Sequence, residues 1–229
     1  MTDKLQEGGV TPIKSDKLCA EIHSRESTMS EYDRWQGRYA VPEYIFGEGP
    51  NVFLSKQRHL LPAKGKALAV ADGEGRNGVW LAEQGLDVLS IDFSQNGQAK
   101  AKALADKRGV KLELVLADVH EWPYPEAAFD VVAEIFTQFS DPQQRAKKWA
   151  GMRKALKPGG LLLLEGYTPK QLEYGTGGPK QLDHLYTREM LEAEFAGFSK
   201  IEIKQYETEM SEGGAHAGMA AVIDLIGWK

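Results

Sequence analysis

The sequence predicts a single α/β domain: a mostly parallel sheet with helices on both faces, closed by an antiparallel C-terminal hairpin. Three observations carry this. Five short apolar runs, KALAVA (66–71), DVLSID (87–92), KLELVLAD (111–118), FDVVAEIF (129–136) and LLLLEGY (161–167), alternate with helix-patterned segments. Such runs are the mark of parallel strands buried on both sides. Glycines cluster directly after the first run, in VADGEGRNG (70–78). The chain then ends in two long strand-like runs, SKIEIKQYETEM and AGMAAVIDLIGW, joined by SEGGAH. They read as a β-hairpin with a loop of five or six residues.

The elements follow in order. Residues 1–28 are polar and without sustained periodicity, so they read as an extension ahead of a domain spanning 29–229. The opening stretch lacks the apolar core of a signal peptide. EYDRWQGRY and PNVFLSKQRHLL read as two short helices around the turn VPEYIFGEGP. GRNGVWLAEQG is an amphipathic helix stopped by Gly85. Ser94 is the N-cap for QNGQAKAKALADKRG. Asp141 and Pro142 are the N-cap and first residue of the helix over QQRAKKWAGMRKAL. KPGG turns the chain into the fifth strand, and Thr187 caps REMLEAEFAG. The basic run at Arg145, Lys147 and Lys148 reads as a solvated helix face. The tryptophans, Trp35, Trp80 and Trp149 among them, read as packing.

Composition narrows the function. Of 229 residues, 42% are hydrophobic, enough for a sizeable core. The formal net charge of −5 argues against nucleic acid, which demands clustered Lys and Arg. One cysteine, Cys19, leaves no intrachain disulfide and suits a reducing cytoplasm. No run approaches the ~18 apolar residues that span a bilayer. The histidines at 23, 59, 120, 184 and 216 form no metal-ligand spacing. The expectation is a cytoplasmic protein, monomer or homodimer, with a small-molecule partner and no metal, membrane or nucleic acid.

Gly73, Gly75 and Gly78 spell G-x-G-x-x-G, a spacing that usually places a pyrophosphate on a helix N-terminus. Yet Asp72 and Glu74 stand beside these glycines. At about 4 Å each like-charge pair with a phosphate would cost about 1 kcal/mol in water and about 4 kcal/mol at a surface-like dielectric. Asp92, ending the second strand, suits the two hydroxyls of a ribose. Asp118, ending the third, suits an adenine amino group. An adenosine carrying positive rather than negative charge satisfies all of these, and S-adenosylmethionine is such a molecule. An NAD-dependent oxidoreductase and a non-catalytic nucleoside-cofactor-binding protein remain the alternatives.

VADGEGRNG, SIDFS, LADV, FDVVAEIF and ALKPGGLLLLEGY occur in the order of the class I S-adenosylmethionine-dependent methyltransferases, which the chain resembles. GRN after the glycines, WQGRYAVPEYIFGEGPN upstream and YGTGGP downstream resemble the small-molecule branch that includes tellurite-resistance-type enzymes. The resemblance covers roughly residues 30–229. It implies a Rossmann-like, seven-stranded sheet with a reversed last strand, and methyl transfer to a thiol, a metalloid oxyanion or a hydroxyl. It also implies that the glycine loop meets the methionine part of the cofactor, Asp92 the ribose and Asp118 the adenine. Two positions depart from the family pattern: Ala69 stands where an acid usually ends the first strand, and Ala71 where the first glycine usually stands. Asp72 or Glu74 is left to replace that acid.

The candidate cofactor residues are therefore Ala71, Asp72, Gly73, Glu74, Gly75 and Asn77 in the loop, Asp92 and Phe93, Asp118 and Val119, and Glu134. The candidate acceptor pocket comprises Tyr39, Tyr44, Phe46, Tyr167, Tyr174 and His216. Glu134, near the end of the fourth strand, and His216, at the mouth of the last, are the candidate bases for an oxygen acceptor. A soft acceptor needs no strong base.

Overall fold

The computed structural model describes residues 30–229; the polar stretch 1–28 lies outside the described residues. All five apolar runs form strands, β1 (Lys66–Val70), β2 (Asp87–Asp92), β3 (Leu112–Leu116), β4 (Phe129–Ile135) and β5 (Leu156–Tyr167), and the hairpin supplies β6 (Lys200–Glu212) and β7 (His216–Trp228). They make one seven-stranded sheet in the order β3-β2-β1-β4-β5-β7-β6. Strands β1 to β5 are parallel, and β7 runs antiparallel between β5 and β6. The chain order reverses between β1 and β4, so a crevice opens beyond their carboxyl ends, where ligands of open α/β sheets bind.

The helices are α1 (Glu31–Arg38), α2 (Val52–Lys56), α3 (Arg76–Glu83), α4 (Gln95–Arg108), α5 (Pro142–Ala155), α6 (Gln171–Tyr174) and α7 (Arg188–Glu194). Their starts follow the sequence signals. The side chain of Ser94 accepts from Gly97 N, that of Thr187 from Met190 N, and Asp141 forms a full capping box with Gln144. Period-two alternation sorts the strand side chains into two layers. Leu68, Val70, Val132, Leu162 and Leu164 pack with Trp149 and Met152 of α5 and Leu191 of α7. Ala67, Ala69, Val131, Ala133, Leu161 and Leu163 pack on the other face with Phe53 and Leu54 of α2 and Trp80 and Leu81 of α3.

Two turns differ from expectation. KPGG is no free turn: β5 starts at Leu156, which pairs with Phe129, and the register then jumps so that Val131 faces Leu161. The four residues are a bulge absorbed into the strand. The hairpin loop is shorter than five residues, because Glu212 already pairs with His216. Gly213 makes the tight turn possible with φ of +70°. A Cβ there would stand 2.5 Å from the backbone of Phe46, so the hairpin tip rests directly on the N-terminal segment.

The basic face of α5 needs correcting. Lys147 is exposed and pairs with Glu121, but Lys148 and Arg145 are buried. Lys148 Nζ lies 2.7 Å from Glu134 Oε1, with both side chains fully enclosed. Lys148 also donates to the carbonyl and hydroxyl oxygens of Thr137, while Tyr186 and Trp149 donate to Glu134. Burial alone would raise the Glu134 pKa, but Lys148 and then the hydroxyls of Thr137 and Tyr186, which also donate to it, bring it below the usual value. Removing one partner strands a charge in the core, so Lys148→Met is expected to lose about 3–5 kcal/mol of stability. Urea unfolding measures it, and a loss under about 1 kcal/mol would show that the pair is not structural.

Candidate active site

The loop after β1 is built by short-range contacts that dictate its residues. Gly75 takes φ of +84° and caps α3, and a Cβ on it would stand 2.5 Å from Ala101 of α4. Asp72 turns back onto the helix it precedes. Both its carboxylate oxygens accept from Gly78 N at 3.2 Å, and Oδ2 accepts from Ser90 Oγ at 2.9 Å. An amide that a phosphate would take at a helix N-terminus is thus already given to the protein's own carboxylate. A Cβ at Gly78 would collide with that carboxylate, which explains the third glycine.

Glu74 plays a different part. Its carboxylate accepts from Ile45 N at 3.2 Å and Phe46 N at 3.4 Å, and pairs with Lys100 Nζ at 2.7 Å. It fastens the N-terminal segment across the loop. Asp92, at the end of β2, accepts from Gly73 N at 2.9 Å and Ser94 N at 2.7 Å. Gln36 of α1 in turn accepts from Ser94 Oγ and Asn96 N at the start of α4.

These elements enclose a cavity at the carboxyl edge of the sheet. Its walls include Ala71, Asp72, Glu74, Asn77, Asp92 and Phe93 of the expected cofactor set, and Tyr39, Phe46, Tyr167 and His216 of the expected acceptor set. Gly73 and Gly75 shape the loop beneath. Five expectations need revision. Asp118 does not line the cavity: it pairs with His120 Nδ1 at 2.7 Å on the outer side, and Val119 is buried in the core. Glu134 is consumed by Lys148 below the floor. Tyr44 points away, donating to Lys100 O and packing beside Val79 and Leu104. Tyr174 sits outside, its hydroxyl on Glu207.

Other wall residues were not anticipated. Phe139 stacks toward Phe93 at 5.8 Å between centroids and 23° between planes. Gln138 and Phe136 follow β4 at the same edge, a position that alone marked them. Trp35 and Arg38 are different: the sequence offers the segment Trp35–Phe46 as a cover that shapes the acceptor pocket, and both residues line the cavity, the Arg38 guanidinium 4.8 Å from the Trp35 ring and 5.6 Å from Phe46. Arg38 has no carboxylate partner among the described residues.

The donor set suits a nucleoside with positive charge. The acids Asp72 and Asp92 face the cavity, Arg76 is spent on Glu212 at 2.7 Å, and the flat rings of Phe93 and Phe139 flank one end. The comparisons agree. A family model described as a methyltransferase domain matches residues 67–160. That stretch runs from β1 into β5 and takes in the glycine loop and the ends of β2 and β4 that line the cavity. Over 114 residues it is 32% identical to demethylmenaquinone methyltransferase of Thermus thermophilus, a match covering 48% of this chain and 50% of that protein. The chain therefore spans about half the length of that relative. Its fold is shared with an S-adenosylmethionine-dependent methyltransferase of Methanosarcina mazei, at TM-score 0.62 and 18% identity over 79% of this chain and 98% of that one. It is shared also with TehB of Haemophilus influenzae, at TM-score 0.62 and 15% identity over 86% and 66%. A methyltransferase domain implies S-adenosylmethionine as the cofactor.

Burial raises the pKa of Asp72 to about 7 and that of Asp92 to about 6. Carboxyls shifted upward bind more protons folded than unfolded, so they subtract stability as pH rises from about 4 to about 7. A cationic ligand beside them reverses that penalty. S-adenosylmethionine is therefore expected to bind on the order of tenfold more tightly at pH 8 than at pH 5.5, releasing protons as it does. Calorimetry in buffers of different ionisation enthalpy measures both, and a flat affinity across that range would contradict the assignment.

Proposed function

We propose that the protein transfers a methyl group from S-adenosylmethionine to a small-molecule acceptor. The observation that carries this reading is the filling of the α3 N-terminus by Asp72, which removes the phosphate site of a dinucleotide and leaves an acid-lined cavity. That same feature counts against the oxidoreductase alternative. The cavity also continues past the acids into an end lined by Phe46, Phe136, Tyr167 and His216, which favours an enzyme over a protein that only holds the cofactor.

The residues divide the work. Asp92 would hold the ribose hydroxyls, and Phe93 and Phe139 would flank the base. Arg38 would meet the methionine carboxylate. When bound, S-adenosylmethionine supplies a methyl group already activated on a sulfonium. The protein's own task is alignment and exclusion of water. Trp35, Tyr39 and Phe46 form the cover, and Glu74 latches it through the backbone amides of Ile45 and Phe46.

An acceptor of metabolite size is favoured by the enclosed cavity and by a relative whose name makes demethylmenaquinone its acceptor. The net charge of −5 speaks against nucleic acid. No helix among the described residues is long and apolar enough to cross a membrane. The single cysteine favours a cytoplasmic setting.

Asp92→Ala removes a charged hydrogen-bond acceptor worth about 1.5–3 kcal/mol. It is expected to weaken S-adenosylhomocysteine about ten- to a hundredfold in a folded variant. Unchanged affinity by calorimetry would show that the ribose is held elsewhere. Turnover itself is tested by labelled methyl transfer from S-adenosylmethionine across thiols, hydroxylated aromatics and metalloid oxyanions.

A further inference from the structure

The end of the cavity away from Asp92 is a box of rings centred on His216. The Phe46 centroid lies 4.5 Å from the imidazole, that of Phe136 4.7 Å and that of Tyr167 6.0 Å. Phe136 and Tyr167 lie 4.5 Å apart, tilted by 37°. On one flank the loop through Gly177 and Gly178 closes against the Tyr167 ring, and a Cβ on Gly178 would stand 2.8 Å from it. Among the described residues no carboxylate reaches His216: Glu212, its register partner across the hairpin, turns to Arg76, Asn51 and Val52.

Two features of the box are costly and go unused by the fold. His216 is only 7% exposed, and its Nδ1 is buried with no hydrogen-bond partner among the described residues. Interiors rarely leave such a group unpaired. Phe136 holds φ of +55°, a left-handed conformation that is an outlier for a bulky side chain. Its amide is pinned to Glu165 O at 2.8 Å, which aims the ring at His216. Strained backbone of this kind persists where the surroundings enforce it, and it concentrates at ligand clamps. Burial, then Arg76 and Arg38, bring the His216 pKa down to about 3, so the imidazole is neutral. A neutral imidazole offers one donor and one acceptor without demanding a counter-ion.

We propose that this box binds the methyl acceptor as a planar hydroxylated aromatic ring. Phe46, Phe136 and Tyr167 hold its faces and edges, and His216 takes one hydrogen bond with its hydroxyl. His216 is thus a positioning residue rather than a base. Aliphatic thiols and inorganic oxyanions lack the flat apolar surface that three rings reward. The proposal rests on the methyltransferase reading of the same cavity.

The test uses the full chain saturated with S-adenosylhomocysteine, titrated with 2-naphthol, 2-methoxynaphthalene, 2-mercaptoethanol and selenite. In the wild type, 2-naphthol is expected to bind at least about tenfold more tightly than each of the other three. Phe136→Leu is expected to weaken 2-naphthol about tenfold. His216→Phe is expected to bring 2-naphthol and 2-methoxynaphthalene to equal affinity, while His216→Gln keeps the hydroxyl favoured. S-adenosylhomocysteine affinity, measured in each variant, reports folding and the cofactor half separately. If the wild type binds S-adenosylhomocysteine but takes 2-naphthol no better than the thiol or selenite, the proposal is overturned. That arm needs no variant. If His216→Phe still prefers the hydroxyl, the role of His216 is overturned. Failure to bind S-adenosylhomocysteine at all would instead sink the methyltransferase reading.

Discussion

The carboxylate of Asp72 stands at the start of α3, and the chemistry of the cavity depends on it. A helix N-terminus attracts anions. By supplying its own, the chain removes that attraction for a ligand's phosphates and leaves negative charge at the cavity wall. Ser90 and the Gly78 amide hold Asp72 in place, and Gly78 must lack a side chain for the approach to occur. That acid accounts for the third glycine of the G-x-G-x-x-G spacing, while the close approach of Ala101 accounts for Gly75.

The cover over the site is tied down by a second group of buried polar residues. Asn51 donates to Glu165 and Glu212, and its amide reaches Asn77 Oδ1. Glu212 pairs with Arg76 and accepts from Val52 N. Glu74 binds the backbone of Ile45 and Phe46. The hairpin tip, the N-terminal segment and the glycine loop are therefore one connected unit. His216 and Phe46 belong to it, so the ring-lined end of the cavity is positioned by the same bonds that close the lid.

Much of the fold was legible because local signals and burial agree. The five apolar runs, the caps at Ser94, Asp141 and Thr187 and the terminal hairpin are short-range features. The site was legible only in part. Asp72, Asp92, Phe46 and His216 sit on the cavity because loop and strand ends deliver them there. Glu134 has the same kind of strand-end position, but its partner Lys148 lies on α5, and no spacing in the chain reveals that pairing. Lys148 itself looked like part of a solvated face for the same reason. Tyr44 and Phe46 are two residues apart in an irregular segment, and only the tertiary packing decides which of them turns inward. The hairpin tip is shorter than its residues suggest because its tight turn relies on Gly213 fitting against Phe46.

The central claim is that Asp72 makes this a site for a cationic nucleoside rather than a dinucleotide. Parallel calorimetric titrations of the full chain with S-adenosylmethionine and with NAD, at pH 8 and low salt, test it most directly. The account predicts that S-adenosylmethionine binds about a hundredfold or more tightly than NAD, as two unfavourable phosphate contacts would require. NAD binding as tightly as S-adenosylmethionine, or more tightly, would contradict it.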